Sequence, residues 1–189
     1  MLEKGLYKIF ADKWIHNGSV YFYSDPHFAD DEMKYLRKNY IGDDAQVAAI
    51  NKVIGKHDTI IFLGDIGDVE IIKRIRGYKV LVMGNHDKGA TNYLDYFDEV
   101  YEGALMISDK IILSHEPILN LPSFMFNIHG HDHAGTYLGK HYLNVCAENI
   151  DYTPVRLKSL IEKGIFKDVD NIHRVAIDNA IVRKAKRRK

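Results

Sequence analysis

Two stretches of this chain carry almost no polar side chain and end on a glycine: Thr59-Ile60-Ile61-Phe62-Leu63 before Gly64, and Lys79-Val80-Leu81-Val82-Met83 before Gly84. A strand that is apolar on both sides must be covered on both sides, the condition of an inner strand in a helix-covered parallel sheet. Val69–Arg76 between them reads as a helix. Strand, helix, strand makes a βαβ unit, so the sheet is at least partly parallel. Val20–Ser24, β-branched and aromatic, reads as the first core strand. Two helical stretches follow it, Asp30–Tyr40 and Asp43–Gly55. In the second, Val47, Ile50, Val53 and Ile54 form an apolar stripe, with Asp43 or Asp44 as N-cap and Gly55 as the stop.

The flanking regions are patterned differently. Met1–Gly18 is a lead-in with a short edge strand at Leu6–Phe10. After Asp87, Leu94–Phe97 reads as a short helix. Glu99–Met106, Lys110–Leu113, Ser123–Ile128 and His141–Val145 read as shorter strands, a β-rich half packed on the first. Pro154–Gly164 has proline near the start and glycine after the end of a helix. Phe166–Ala180 carries no clear pattern. There is no linker-like composition or fixed-period repeat, and 189 residues suit one domain spanning residues 1–189.

Composition narrows the class. A hydrophobic fraction of 46% and a charged fraction of 28% are those of a soluble globular protein, and a formal net charge of zero gives no global attraction for nucleic acid or membrane. Charge is concentrated only in the last stretch, residues 183–189, which is almost entirely basic. It is expected to be a solvated tail, with nucleic-acid contact as the alternative. The single cysteine, Cys146, permits no intrachain disulfide and fits a reducing compartment. The first residues lack a signal-peptide pattern and no apolar run is long enough for a bilayer, so a cytoplasmic location and no membrane partner are expected.

Five strand-like runs end in a small residue followed by His, Asp or Asn. The loops carry Asp25 and His27; Asp65; Asn85; His115; and His131 and His133. Loops at the carboxyl ends of strands are where open α/β sheets hold ligands. Four imidazoles, two carboxylates and one amide suit manganese, iron, zinc or nickel better than calcium or magnesium. Seven donors exceed the need of one tetrahedral ion and suit two, and Asp65, ending a central strand, is the best bridge. Two ions about 3.5–4 Å apart can clamp an in-line displacement at phosphorus, with a bridging hydroxide as nucleophile. His86 is placed to protonate the leaving group, with Asp68 as the carboxylate that orients it. His16, His57, His129, His141 and His173 read as ordinary hydrogen-bonded loop histidines.

Asp25-x-His27, Gly64-Asp65-x-x-Asp68, Gly84-Asn85-His86-Asp87, His115 and Gly130-His131-x-His133 resemble, in this order, the motif series of the calcineurin-like metallophosphoesterases. The resemblance runs from about Val20 to Val145. It implies an α/β fold: a two-sheet β-sandwich flanked by helices, with mixed sheets, βαβ units and a dinuclear metal centre at the strand ends. It implies that Asp25, His27, Asp65 and His133 hold one ion, and that Asp65, Asn85, His115 and His131 hold the other. It implies that His86 contacts substrate, with Asp68 behind it. Val69-Glu70 stand where the Ser/Thr phosphatases of this superfamily carry Arg-Gly, which argues against protein phosphatase activity, and the small size resembles that of the compact phosphoesterases of bacteria and their phages. The expected activity is hydrolysis of a small-molecule or nucleotide phosphoester with two divalent ions, Mn²⁺ foremost and Fe, Zn or Ni also suited. A nucleotide-type phosphodiester is placed ahead of a phosphomonoester, and a non-catalytic scaffold of the same fold is a third reading. Oligomeric state is left open. Specificity is expected from residues 28–40, 88–93 and 117–125, whose aromatic side chains can stack on a base.

Overall fold

The computed structural model describes residues 6–15, 18–37, 39–167 and 169. Its strands, in chain order, are β1 Val20–Tyr23, β2 Thr59–Phe62, β3 Tyr78–Val82, β4 Glu99–Tyr101, β5 Leu105–Met106, β6 Ile111–Leu113, β7 Phe126–His129, β8 Tyr142–Asn144 and β9 Val155–Arg156. The α-helices are α1 Lys8–Trp14, α2 Met33–Leu36, α3 Asp43–Val53 and α4 Leu157–Glu162. Strands β4-β3-β2-β1 are parallel, and β9 adds an antiparallel edge beside β1. A second sheet has the order β5-β6-β7-β8, antiparallel at β5 and parallel in the rest. The chain thus has two mixed sheets flanked by helices, the expected fold class.

Alternation along the inner strands decides which residues meet which layer. Phe22, Ile61, Leu63, Val80 and Val82 face the second sheet and pack with Ile107, Leu113, Phe126, Ile128 and Val145. Their neighbours Tyr23, Ile60, Phe62 and Leu81 face the other way and pack with Val47 and Ile50 of α3, with Ile72, and with Tyr93 and Phe97. Both faces of the first sheet are therefore buried, which is why its central strands read as unbroken apolar runs.

Registry aligns the strand ends. Val20 lies opposite Thr59, and Thr59 opposite Tyr78. Pairing then continues past the strands: Asp25 N donates to Gly64 O at 3.1 Å, and His27 N to Asp65 O at 3.0 Å. The two sheets are joined at this same rim, where Ser24 N donates to Val145 O at 2.9 Å and Ala147 N to Ser24 O at 3.0 Å.

Several local expectations are corrected. Leu6–Phe10 is not a strand. Leu6 makes one bridge to Ser108, and α1 follows, because Leu6, Phe10 and Trp14 recur every fourth residue and are buried while Ile9 is exposed. Among the described residues of Asp30–Tyr40 only α2 is α-helical. It ends where Arg37 turns extended and sends its guanidinium to Asp25 O and Pro26 O. Neither Asp43 nor Asp44 caps α3. Gly42 holds that position, and Asp43 Oδ2 accepts from Ala29 N instead. Val69–Arg74 is a 3₁₀ helix, and Tyr93–Tyr96 is a turn rather than a helix. Glu99–Met106 is two strands, β4 and β5, one in each sheet. Val155 and Arg156 form β9 before α4 begins. His16, His173 and residues 183–189 lie outside the described residues.

Ile61 has no exposed surface and packs between the sheets, whereas Ile9 is 61% exposed. Ile61→Ala is expected to destabilise the fold by about 2–5 kcal/mol, and Ile9→Ala to stay within about 0.5 kcal/mol of the parent. Urea denaturation of the two variants checks this.

Candidate metal centre

Six of the nine residues singled out for chemistry lie on loops that leave the carboxyl ends of parallel strands at one rim. The loop after β1 carries Asp25 and His27, that after β2 Asp65 and Asp68, and that after β3 Asn85 and His86. From the second sheet, His115 follows β6, while His131 and His133 follow β7. Asp25, His27, Asp65 and His115 are buried; Asn85, His86, Asp68, His131 and His133 are exposed.

The donor atoms converge. Asp25, His27 and His133 each offer one atom within 4.8 Å of the others, and so do Asp25, Asp65 and His115. Asp25 belongs to both trios. One Asp65 oxygen, Oδ2, also lies between them, 3.6 Å from His27 Nε2 and 3.4 Å from His115 Nε2. His115 Nε2 is 2.7 Å from Asn85 Oδ1, and His131 Nδ1 is 3.1 Å from the same oxygen. All seven predicted ligands therefore fall into two adjoining groups.

This donor set fits cations. Asp25 Oδ1 and His27 Nε2 are buried, and neither has a hydrogen-bond partner among the described residues. They stand 4.0 Å apart. Buried polar atoms left unpaired are costly, and oxygen and imidazole nitrogen facing one another across such a gap are a donor pair that could hold a metal ion.

The backbone is bent to bring them there. Asp25, His27, Asp65 and His131 all have φ between 46° and 66°, a left-handed conformation that costs a non-glycine residue about 1–2 kcal/mol. Two glycines permit the approach of the loops. A Cβ on Gly84 would lie 2.3 Å from Asp65 Oδ1, and one on Gly130 would lie 2.0 Å from Ser24 Oγ.

The sequence reading passed over the groups that secure these ligands. Asp87 carries no chemistry but holds two loops together. It accepts from Gly84 N at 2.7 Å, from Asp65 N and Ile66 N at 3.0 Å, and from Tyr93 OH at 3.0 Å. In return His86 N donates to Asp65 Oδ1 at 2.9 Å. The Cys146 thiol lies 3.2 Å from Asp25 Oδ2, which also accepts from His131 N at 2.9 Å. Glu148 meets His133 Nδ1, and Asp30 lies 3.6 Å from His27 Nδ1. Asp87 alone was visible as a motif residue, in Gly84-Asn85-His86-Asp87.

His86 and Asp68 line the same cleft, about 670 Å³, beside His27 and Tyr96. They are not joined as expected. The Asp68 carboxylate accepts from Glu70 N at 3.0 Å and caps the 3₁₀ helix, and no hydrogen bond links it to His86 among the described residues. The His86 ring instead sits edge-on to His27, with centroids 5.7 Å apart. Of the histidines set aside, His129 is buried with Nδ1 2.8 Å from Gly130 O, and His57 is exposed.

Burial and charge compete at each titratable group. Burial lowers His27, outweighing the raising effect of Asp65 and Asp25. Burial also pulls His115 down, but the hydrogen bond to Asp65 and the charges of Asp25 and Asp65 win and hold it at about 9. Asp65 lies below its ordinary value: burial raises it, and the His115 hydrogen bond and charge more than reverse this. Burial, then the Asp25 charge, pushes the Cys146 thiol far up, so it stays protonated as a donor.

No protein-family model matches the chain, and comparison with curated proteins gives no match. Among solved structures the chain is similar to the crystal structure of AQ665 from Aquifex aeolicus, a protein of unknown function. The TM-score is 0.64 with 26% identity, over 77% of this chain and 99% of that one. The two share their fold. The chain is also similar to the nuclease MPE from Pseudomonas putida, with a TM-score of 0.43 and 21% identity, over 59% of this chain and 60% of the other. Among the described residues, no helix is long and apolar enough to cross a membrane.

Asp87→Ala strips three backbone donors of their acceptor and is expected to cost about 3 kcal/mol, measured by urea denaturation. Because His115 is raised in the folded state, its contribution to stability is complete below its ordinary value of 6.5 and is lost as pH rises through about 9. In chelator-treated protein, the denaturation midpoint is therefore expected to fall between pH 6.5 and 9.5 by more than it does in His115→Asn.

Proposed function

We propose that this chain is a metal-dependent phosphoesterase of the calcineurin-like kind, acting on a nucleotide-type phosphodiester. The observation that carries the reading is the convergence of seven donors from both sheets on two adjoining groups that share carboxylates. Asp25, His27, Asp65 and His133 would hold one divalent ion, and Asp65, Asn85, His115 and His131 the other, with Asp65 as the bridge. Bound there, Mn²⁺ or a similar ion supplies an activated water and neutralises charge on the phosphoryl oxygens.

The chain's own residues account for the rest. His86, exposed at the mouth of the cleft, is free to turn an imidazolium toward a leaving oxygen. The hydrogen bond from its backbone N to Asp65 Oδ1 keeps its loop beside the candidate ligand group. Asp68 lines the same cleft as His86. Lys88 is a cation on the same wall and suits a phosphoryl oxygen, a role that the absent Arg-Gly arginine would otherwise fill.

The preference for a diester rests on shape. A second cleft of about 450 Å³, lined by Asn85, His115 and Glu116, opens beside the other donor group. A further cleft of about 580 Å³ reaches His133, so space lies at several sides of the ligand cluster, enough for both substituents of a diester. The whole chain is taken as one such domain.

Metal-stripped protein given Mn²⁺ is expected to hydrolyse bis-p-nitrophenyl phosphate faster than p-nitrophenyl phosphate. Asp65→Asn is expected to abolish turnover, and His86→Ala to lower kcat about 10²–10⁴-fold while leaving metal binding intact. A faster monoester reaction would replace the diester reading with that of a phosphomonoesterase. Two bound ions with no turnover of either substrate would point to a more demanding natural substrate, and no turnover with no bound metal would overturn the reading and leave the scaffold.

A further inference from the structure

We infer that Glu148, held by Arg37, is the positioning residue for His133 and sets the strength of the cation site formed with Asp25 and His27. The inference rests on the metal-centre reading above.

Glu148 sits on the 3₁₀ turn Ala147–Ile150 that follows β8, a stretch outside every ligand motif. Its Oε1 lies 2.5 Å from His133 Nδ1. A carboxylate only accepts, so the proton in this contact belongs to Nδ1. The lone pair of the neutral imidazole is then on Nε2, which points at Asp25 Oδ1 from 3.6 Å. That oxygen is buried with no hydrogen-bond partner among the described residues. Two acceptors facing one another repel unless a cation lies between them. Glu148 therefore fixes the tautomer in which His133 is a ligand rather than a donor to Asp25.

Arg37 accounts for a carboxylate in so covered a place. Its Nε is 3.5 Å from Glu148 Oε2, and the side chains are only 1% and 12% exposed. The same guanidinium donates to Asp25 O at 2.5 Å and to Pro26 O at 3.5 Å. One buried cation thus holds the backbone that carries Asp25 and, through Glu148, the ring of His133. Neither charge would be tolerable there alone.

Nitrogen-15 NMR of the metal-free protein at pH 8 and Mn²⁺ calorimetry test this together. In the parent chain His133 is expected as the Nδ1–H tautomer. Glu148→Ala is expected to populate the Nε2–H form and to weaken one Mn²⁺ site about 10–100-fold, leaving the other unchanged. Glu148→Gln keeps an acceptor and is expected to keep the tautomer, with a smaller loss. If Glu148→Ala does not fold, the parent and Glu148→Gln spectra still decide. An Nε2–H tautomer in the parent, or undiminished binding at both sites in a folded Glu148→Ala, overturns the inference. A parent chain with the expected tautomer that binds no Mn²⁺ overturns instead the metal-centre reading.

Discussion

The carboxylate of Asp87 is the brace on which the rim of this molecule depends. Parallel strands deliver their loops to the same edge, and backbone pairing carries on between the loops after β1 and β2, but the loop after β3 is set against that after β2 by a side chain. Asp87 does so by gathering Gly84 N, Asp65 N and Ile66 N around a single side chain, with Tyr93 OH as a fourth donor. Charged acceptors make the stronger class of hydrogen bond. Four of them offset the left-handed backbone of Asp65, which strand geometry alone would not support. His86 N closes the loop by donating to Asp65 Oδ1. A side chain outside the candidate ligand set thus governs where Asp65 stands.

A second constraint is electrostatic. Asp25 and Asp65 are both buried and lie within reach of the same imidazoles. Carboxylates that close in a poor dielectric repel each other. The structure places His27 and His115 against the Asp65 carboxylate and His133 against that of Asp25, and Arg37 beneath the loop that carries Asp25. Part of the balance is visible as the elevated His115 and depressed Asp65. The proposed ions would replace the proton on His115 with a stronger positive charge in the same place.

The fold was legible where burial is two-sided. Thr59–Leu63 and Lys79–Met83 have one interpretation because no amphipathic helix lacks a polar face in this way, and β2 and β3 are where they should be. Short elements were harder. Leu6–Phe10 alternates loosely enough to imitate a strand, and only the fourfold recurrence that ends at Trp14 reveals α1. Glu99–Met106 hides a change of sheet, since Glu102 and Gly103 break a run whose halves both have strand composition. The seven ligand candidates were legible because each follows a strand-like run. Their supports were not. Glu148, Arg37 and Cys146 reach the rim from a 3₁₀ turn, from the residue after α2 and from the link after β8, and no local pattern marks such contacts, least of all Cys146 with Asp25 and Glu148 with Arg37, which are more than a hundred positions apart.

The rim at which both sheets end has a bearing on biosynthesis. The first sheet contributes Asp25, His27, Asp65 and Asn85; the second contributes His115, His131 and His133. A nascent chain that has emerged only as far as β4 holds four of the seven proposed donors, two carboxylates, one imidazole and one amide, too few for two ions. Capture of both proposed ions would therefore wait until β7 and its following loop have left the ribosome and docked. Loading of the pair would then report completion of the sandwich.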